Sequence, residues 1–451
     1  MSTRPLLTLI LGAGKGTRMK SAHPKVMHAI AGRSMLGHVM ATASAAGATS
    51  LAVVVGPGMD AVAAEARKHA ASVQVFVQAE QRGTGDAVLA ARAALKGHAG
   101  DVLVMFGDTP LITVETTKTL VAALDGGANV AVLGFHAADP TGYGRLLTDA
   151  SGALVAIREH NDASAAERAV TLCNSGLIAF RVPDLVGLLD RITAHNAKGE
   201  LYLTDAVELA RAAGLKAVAT TGSEDEMLGI NSRAQLAQAE GIWQDRARAR
   251  FMAEGVTLIE PKAVWFAYDT TIGRDVVIQP NVFFMPACSV ADNAEINANS
   301  HFEGASIGPG TRIGPFARFR PGAKIGAGVH VGNFVEVKNA TLEAGAKANH
   351  LAYIGDGRVG AGANIGAGTI FCNYDGFNKH FTDVGAGAFI GSNTALVAPV
   401  KIGDGAMTAA GSAISRDVAA GALAIERSAQ EERPGWAARF REMMSRKKKR
   451  G

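Results

Sequence analysis

The first residues whose types could do chemistry stand in Leu11-Gly-Ala-Gly-Lys-Gly-Thr-Arg-Met19, followed by Ser21-Ala-His-Pro-Lys25. Glycines let backbone N–H groups approach an anion, and Lys15, Arg18 and Lys25 can neutralise a polyphosphate. Lys15 precedes the last glycine, so this is no Walker A loop, and the spacing of Gly12, Gly14 and Gly16 fails the dinucleotide pattern. A structural turn with solvated cations fits the same residues. A second candidate is Asp108, which follows the apolar run Val102 to Phe106 and Gly107. Ligands of α/β sheets bind at the carboxyl ends of strands, and an aspartate there can hold Mg2+, which takes one or two protein oxygens and completes its shell with water and phosphate. The same residue also suits a helix N-cap. Two further candidates, the pair Arg320 and Lys338 and the lone His350, depend on the elements that carry them.

Those elements change character near residue 255. Before about residue 230, short β-rich runs (Leu6 to Leu11, Leu51 to Val55, Val73 to Val77, Val102 to Phe106, Val130 to Gly134) alternate with Ala-rich helical stretches, which predicts an α/β domain on a mostly parallel sheet over 1–230. A polar, proline-free stretch over 231–254 predicts one connecting helix. From 255 to 451 an aliphatic or aromatic residue recurs every six: Ile307, Ile313, Phe319, Ile325, Val331 and Val337, with the register resuming at Val384, Ile390, Leu396 and Ile402. Glycine follows many of these residues, as at Ile307, Ile313, Val331, Ile365 and Ile390. The hexad with its glycine suits a parallel β-helix, whose tight corners favour residues free of Cβ strain. Between Phe371 and Val384 the register is lost, so Cys372 to Asp383 should loop out of a coil, where solenoids commonly place binding residues. The basic end from Ser445 to Gly451 reads as a solvated, disordered tail.

In this register Arg320 and Lys338 stand three hexads apart and stack on one edge, about 4.8 Å from each other if three sides make a coil. Two like charges on adjacent rungs repel unless an anion sits between them, and a sugar phosphate would serve; solvated side chains are the plain alternative. His350 lies where the hexad slips by one residue, a position that by itself suits a polar turn residue.

Composition excludes other classes. With 451 residues the chain has room for two or three domains, each burying its own core. A net charge of +4, evenly spread, argues against nucleic acid as a partner. Cys173, Cys288 and Cys372 form no CxxC pair, which predicts a reducing compartment and no structural zinc. Cys372 has no evident base nearby, so an acyl-carrier role is not expected of it. The apolar run Leu6 to Leu11 is too short for a signal segment or a span, so a soluble cytoplasmic protein with no membrane partner is expected.

A resemblance adds to this reading. The glycine loop with Pro24-Lys25 resembles the signature of sugar-nucleotide pyrophosphorylases, and Gln78 to Asp86, Tyr143-Gly-Arg145, Glu159-His-Asn-Asp162, Asn174-Ser-Gly176 and Tyr202-Leu-Thr-Asp205 look like its later segments. Together with the hexapeptide half, the chain over nearly its full length is similar to the family of bifunctional UDP-N-acetylglucosamine pyrophosphorylase / glucosamine-1-phosphate N-acetyltransferases. The fold implied is an α/β nucleotidyltransferase (Rossmann-like) domain followed by a left-handed parallel β-helix. By this resemblance Leu11, Gly12, Gly14, Gln78, Gly83 and Thr84 would hold the uridine of UTP, Arg18 and Lys25 would act on the triphosphate, Gly144, Glu159 and Asn174 would hold the amino sugar, and Asp108 with Asn231 would hold Mg2+. In the second half Arg320, Lys338, Tyr353 and Asn364 would bind glucosamine-1-phosphate, Asn373, Tyr374, Ser392, Ala410 and Arg427 would bind acetyl-CoA, and His350 would be the general base. Hexapeptide acyltransferases generally form trimers with sites between subunits, so a homotrimer acting on small molecules is implied. Two positions depart from the family: Gly12 stands where alanine is usual, and Phe106 where tyrosine is frequent. A monofunctional sugar-1-phosphate nucleotidyltransferase with a structural β-helix, and a non-catalytic scaffold, are the competing readings; Arg18, Lys25 and Asp108 argue against the scaffold, and His350, Arg320 and Lys338 against the single activity.

Overall fold

The computed structural model describes residues 4–449, and the chain divides into two compact units, residues 1–247 and 248–451. In the first unit the apolar runs become strands β1 (Leu6–Leu11), β2 (Ser50–Val55), β3 (Gln74–Val77), β4 (Asp101–Phe106) and β5 (Val130–His136), joined by the hairpin β6 (Arg145–Thr148) and β7 (Leu154–Arg158), the long β8 (Leu172–Phe180) and β9 (Ala217–Thr221). The central order is β9-β5-β8-β4-β1-β2-β3, parallel except for β8, which runs antiparallel to both β5 and β4. Strands covered on both faces need apolar residues at every position, and all six residues of β1 are buried. Their alternation divides them between two cores. Leu7, Leu9 and Leu11 join Val54, Val104 and Val132 on one side, while Leu6 and Ile10 join Val53, Leu103 and Leu133 on the other. Helices close both faces; two of the longer ones start on side-chain caps, Ser34 accepting from the Gly37 N–H before Met35–Ala45 and Thr113 accepting from the Thr116 N–H before Val114–Asp125. The carboxyl ends of β1 and β4 lie side by side, because the two strands pair in parallel from Leu6↔Asp101 to Leu11↔Phe106. That edge carries both the glycine loop and Asp108.

A helix covers Arg233–Ala253. The second unit then winds into a left-handed parallel β-helix of short strands. Val277 pairs with Glu295 and Glu295 with Arg312, so a coil takes 18 or 17 residues. The step from Asn364 to Phe389 takes 25 because a segment leaves the coil there, folded back on itself by a Tyr374–Lys379 bridge. The hexad residues Ile307, Ile313, Phe319, Ile325, Val331 and Val337 are all buried. One ladder is aromatic: Phe266, Phe284, Phe302 and Phe319 stack at centroid spacings of 5.5, 4.8 and 5.0 Å. Truncating its fully buried middle member, Phe302→Ala, is expected to cost about 3–5 kcal/mol, because transfer and cavity penalties add where stacked neighbours cannot close the gap; chemical unfolding of the two proteins side by side measures it.

Most glycines that follow the hexad residues are explained by space and not by the corner strain expected of them; Gly314, at φ 82°, does adopt the left-handed corner conformation. A Cβ on Gly332 would lie 2.0 Å from the Asn349 carbonyl oxygen on the next coil, and one on Gly391 2.5 Å from the Ala410 nitrogen. Positive φ occurs elsewhere, including Asn281, Asn293 and Asn299 near 60° and, less expectedly, Phe316, Phe334 and Leu351 at 52–56°. As far as residue 449 the chain also differs from the expected disordered tail, whose last two residues, Arg450 and Gly451, lie outside the described residues. Trp436–Lys448 form a helix, since Ala, Arg, Met and Lys are strong helix formers and a left-handed Gly435 begins it.

Candidate active sites

In the first unit a cleft of about 290 Å³ opens at the carboxyl ends of the strands, lined by Leu11, Gly12, Gly14, Lys25, Gln78, Gly83, Thr84, Phe106 and Asp108, all of which the sequence singles out. Gly16, at φ 60°, bends the loop so tightly that a Cβ there would lie 2.6 Å from the Cβ of Lys25. This close passage lets Lys25 return into the cleft, where its ammonium ion-pairs with Asp108 Oδ2 and donates to Asn231 Oδ1 at 2.9 Å. Two oxygen donors from distant segments thus converge on one cationic point. That arrangement suits a divalent ion that takes one or two protein oxygens, and among the described residues no cluster of three or more His, Cys, Asp or Glu side chains offers a fuller cage.

The loop after β3 is held from inside. Gln78 is buried and donates to the Gly83 carbonyl at 3.0 Å and to Asp86 Oδ2 at 2.9 Å, while the Thr84 hydroxyl accepts from the Leu203 N–H at 3.0 Å. Gly83, at φ 118°, lies so close to Leu201 that a Cβ would meet its carbonyl oxygen at 2.5 Å. Gly144, Glu159 and Asn174 gather beside one another: a Cβ on Gly144 would stand 3.4 Å from Glu159 Oε1 and 3.5 Å from the Asn174 Cβ. Burial holds the Glu159 carboxyl above the usual carboxylate range, opposed by a hydrogen bond from the Thr204 hydroxyl at 3.3 Å. Phe106 joins the two groups. Its ring lines the cleft and rests on Gly176, where a Cβ would come within 2.7 Å.

Arg18 and Lys15 stand exposed on the loop and do not line the cleft. Gln81, which lies within the Gln78 to Asp86 segment and donates to the Ala13 carbonyl, also lines it, as does Glu200, which no sequence signal marked. The two departures from the family are accommodated. A Cβ at Gly12 would sit 3.4 Å from the Val54 carbonyl, an ordinary contact, so glycine and alanine both fit; Phe106 keeps the apolar contact with Gly176.

On the β-helix, Arg320 and Lys338 are adjacent rungs as expected, the Arg320 N–H bonding to the Val337 carbonyl. The anion beside Arg320 is internal, however. Glu336 accepts from Arg320 Nη1 at 3.0 Å and from Arg318 Nη1 at 3.3 Å, so repulsion between rungs does not by itself call for a bound phosphate. Lys338 has no ion pair among the described residues. Tyr353 lies one coil on from Glu336 and near Asn373, whose amide is 3.5 Å from the Tyr353 hydroxyl and donates to Asp356 Oδ2. Asn339 donates to the other Asp356 oxygen at 2.7 Å, so this nearly buried carboxylate ties three coils together. His350 is exposed, and its Nδ1 is 2.7 Å from Asn333 Oδ1. An amide oxygen only accepts, so Nδ1–H donates, and in the neutral ring Nε2 is the nitrogen that carries the lone pair. Neither Asn333 nor Asp356 was legible as a partner in the sequence. Asn364, Ser392, Ala410 and Arg427 follow on later coils, Arg427 donating to the Ala410 carbonyl at 2.7 Å, and among the described residues no hydrogen bond connects them to the Tyr353 group. Tyr374 sits exposed on the extruded segment beneath the Lys379 ammonium.

Residues 8–171 match the MobA-like NTP transferase domain family, and residues 304–339 match the bacterial transferase hexapeptide (six repeats). Over 441 residues, 98% of each chain, the protein is 58% identical to "Bifunctional protein GlmU" of Bradyrhizobium sp.. It is 56% identical over 448 residues to the protein of the same name from Xanthobacter autotrophicus, covering 99% of this chain and all of the relative, and 54% identical over 450 residues to that of Paramagnetospirillum magneticum, covering 99% of both. With both units matched along their length, the chain belongs to the bifunctional GlmU family, uridylyltransferase and acetyltransferase in one polypeptide.

Proposed function

We propose that the second unit acetylates the amine of glucosamine-1-phosphate from acetyl-CoA, and that the first unit transfers uridylyl from UTP to the resulting N-acetylglucosamine-1-phosphate, releasing pyrophosphate. The observation that carries this reading is the convergence of Asp108 and Asn231 on the Lys25 ammonium, with Lys25 and Asp108 lining a glycine-walled cleft, a cation and two oxygen donors where a nucleoside triphosphate needs charge. The sugar-phosphate oxygen attacks the α-phosphorus in line, and Lys25 neutralises charge as the bond to pyrophosphate breaks. Asp108 and Asn231 would hold Mg2+, which when bound adds charge stabilisation for the leaving group. Gly12, Gly14, Gln78, Gly83 and Thr84 bound the nucleotide, and Gly144, Glu159 and Asn174 the amino sugar. Arg18 reaches the phosphates from the outer edge of the loop.

In the acetyl transfer, His350 Nε2 takes the proton as the sugar amine attacks the thioester carbonyl; the carbon–sulfur bond then breaks and the CoA thiolate leaves. Arg320, Lys338, Tyr353 and Asn364 hold the amino-sugar phosphate, and Asn373, Tyr374, Ser392, Ala410 and Arg427 the coenzyme. A homotrimer completes this site. Support comes from Phe316, Phe334 and Leu351, which project on one corner at 48, 55 and 59% exposure, the two rings stacked at 5.2 Å, beside the very corner that carries Asn333 and His350.

A two-part assay tests the reading: UTP with N-acetylglucosamine-1-phosphate, and acetyl-CoA with glucosamine-1-phosphate. Both activities are expected in the full chain. A fragment ending after the Arg233–Ala253 helix should keep Mg2+-dependent uridylyl transfer alone, because the first unit has its own two-faced core. A folded fragment without that activity would refute a self-contained first site.

A further inference from the structure

We propose that the helix Trp436–Lys448 is an interfacial anchor that lays the enzyme on an anionic lipid bilayer. Every residue of this helix is exposed, and an exposed stretch without helix or strand, residues 425–435, separates it from the last strand of the β-helix. At about 100° per residue, Trp436, Phe440, Met443 and Met444 fall within about 100° of arc. They are 51, 42, 56 and 44% exposed, and the Trp436 and Phe440 rings stack at 5.1 Å into one continuous apolar surface.

The charges are arranged about this stripe. Arg439 and Arg446 border it on one side, Arg441 and Lys448 on the other, and Lys447 and Lys449 stand at its carboxyl end. Glu442, the helix's single acid, lies on the far face, where it ion-pairs with Arg446 at 2.6 Å. Cations on both edges of an apolar stripe can extend toward lipid phosphates while the rings and thioethers enter the acyl boundary. A nucleic-acid partner would draw on the cations and leave four large apolar groups without a role. Thirteen residues cover about 20 Å, short of the about 30 Å of a hydrocarbon core, so the helix lies in the surface and does not span. This revises the expectation that the chain has no membrane partner, which rested on the absence of a span.

Co-sedimentation of the full-length protein with vesicles tests the assignment. Binding is expected to equimolar phosphatidylcholine and phosphatidylglycerol, weak to phosphatidylcholine alone, and reduced by salt. Two double variants should each lose about tenfold or more of the partitioning: Trp436→Ser with Phe440→Ser, which removes the apolar stripe, and Arg441→Glu with Lys448→Glu, which reverses its border. Neither touches the residues assigned to the two reactions, and both activities should stay at the parent level. Equal binding to neutral vesicles, or undiminished binding of either variant, would overturn the proposal. So would a change in oligomeric size on losing the stripe, which would mean that another copy of the chain covers it, or binding of an RNA homopolymer without binding of vesicles.

Discussion

His350→Ala is expected to lower kcat for acetyl transfer by about 10² to 10⁴, the range that a positioned proton acceptor contributes, with KM for both substrates little changed. The geometry makes the expectation specific. With Nδ1–H committed to Asn333 at 2.7 Å, the neutral imidazole is held in the tautomer whose lone pair is on Nε2, which is what a base needs and a mere turn residue does not. Because the ring is exposed, its removal leaves no cavity, so melting temperature and oligomeric state should hold while the chemical step fails. Arg320→Ala supplies the contrast: it should raise KM for glucosamine-1-phosphate more than for an amino sugar lacking the phosphate. The Glu336 pairing adds a feature to that variant, since it also strips one of the two guanidinium groups from that carboxylate. Near-normal kcat in the His350 variant returns this residue to a structural role at a corner of the coil.

The second large effect is expected of Asp108→Asn. Uridylyl transfer should fall by about 10²-fold or more, as for loss of a single well-placed electrostatic group, while acetyl transfer continues unchanged. The substitution is nearly isosteric and removes charge alone. It leaves the Lys25 ammonium with two neutral amide oxygens in place of an ion pair and a hydrogen bond, so raising Mg2+ should restore little. Steady-state assays of both reactions on one preparation measure this directly. If both fall together in a folded protein, the two sites are coupled; if neither falls, Asp108 serves as a structural cap at the end of its strand.

What the sequence by itself determined is whatever local periodicity encodes. The alternation within Leu6–Leu11 already divides that strand between two faces, and the hexad from Ile307 to Val337 already names the buried column of a coil, because side-chain direction follows backbone geometry residue by residue. The glycine loop and the strand-end aspartate were legible for the same reason. Tertiary structure alone decided which of these groups meet. Lys25 reaches Asn231 across 206 residues of sequence, and Glu200 enters the cleft from a loop with no pattern of its own. His350 meets Asn333 because that coil takes 17 residues, so a strict count of three hexads points to the wrong neighbour. Glu336 sits between the two arginines one coil below it, a cross-rung contact that appears only when the rungs are stacked, and it gives Arg320 an internal carboxylate that the pairing of Arg320 with Lys338 in the hexad register does not reveal.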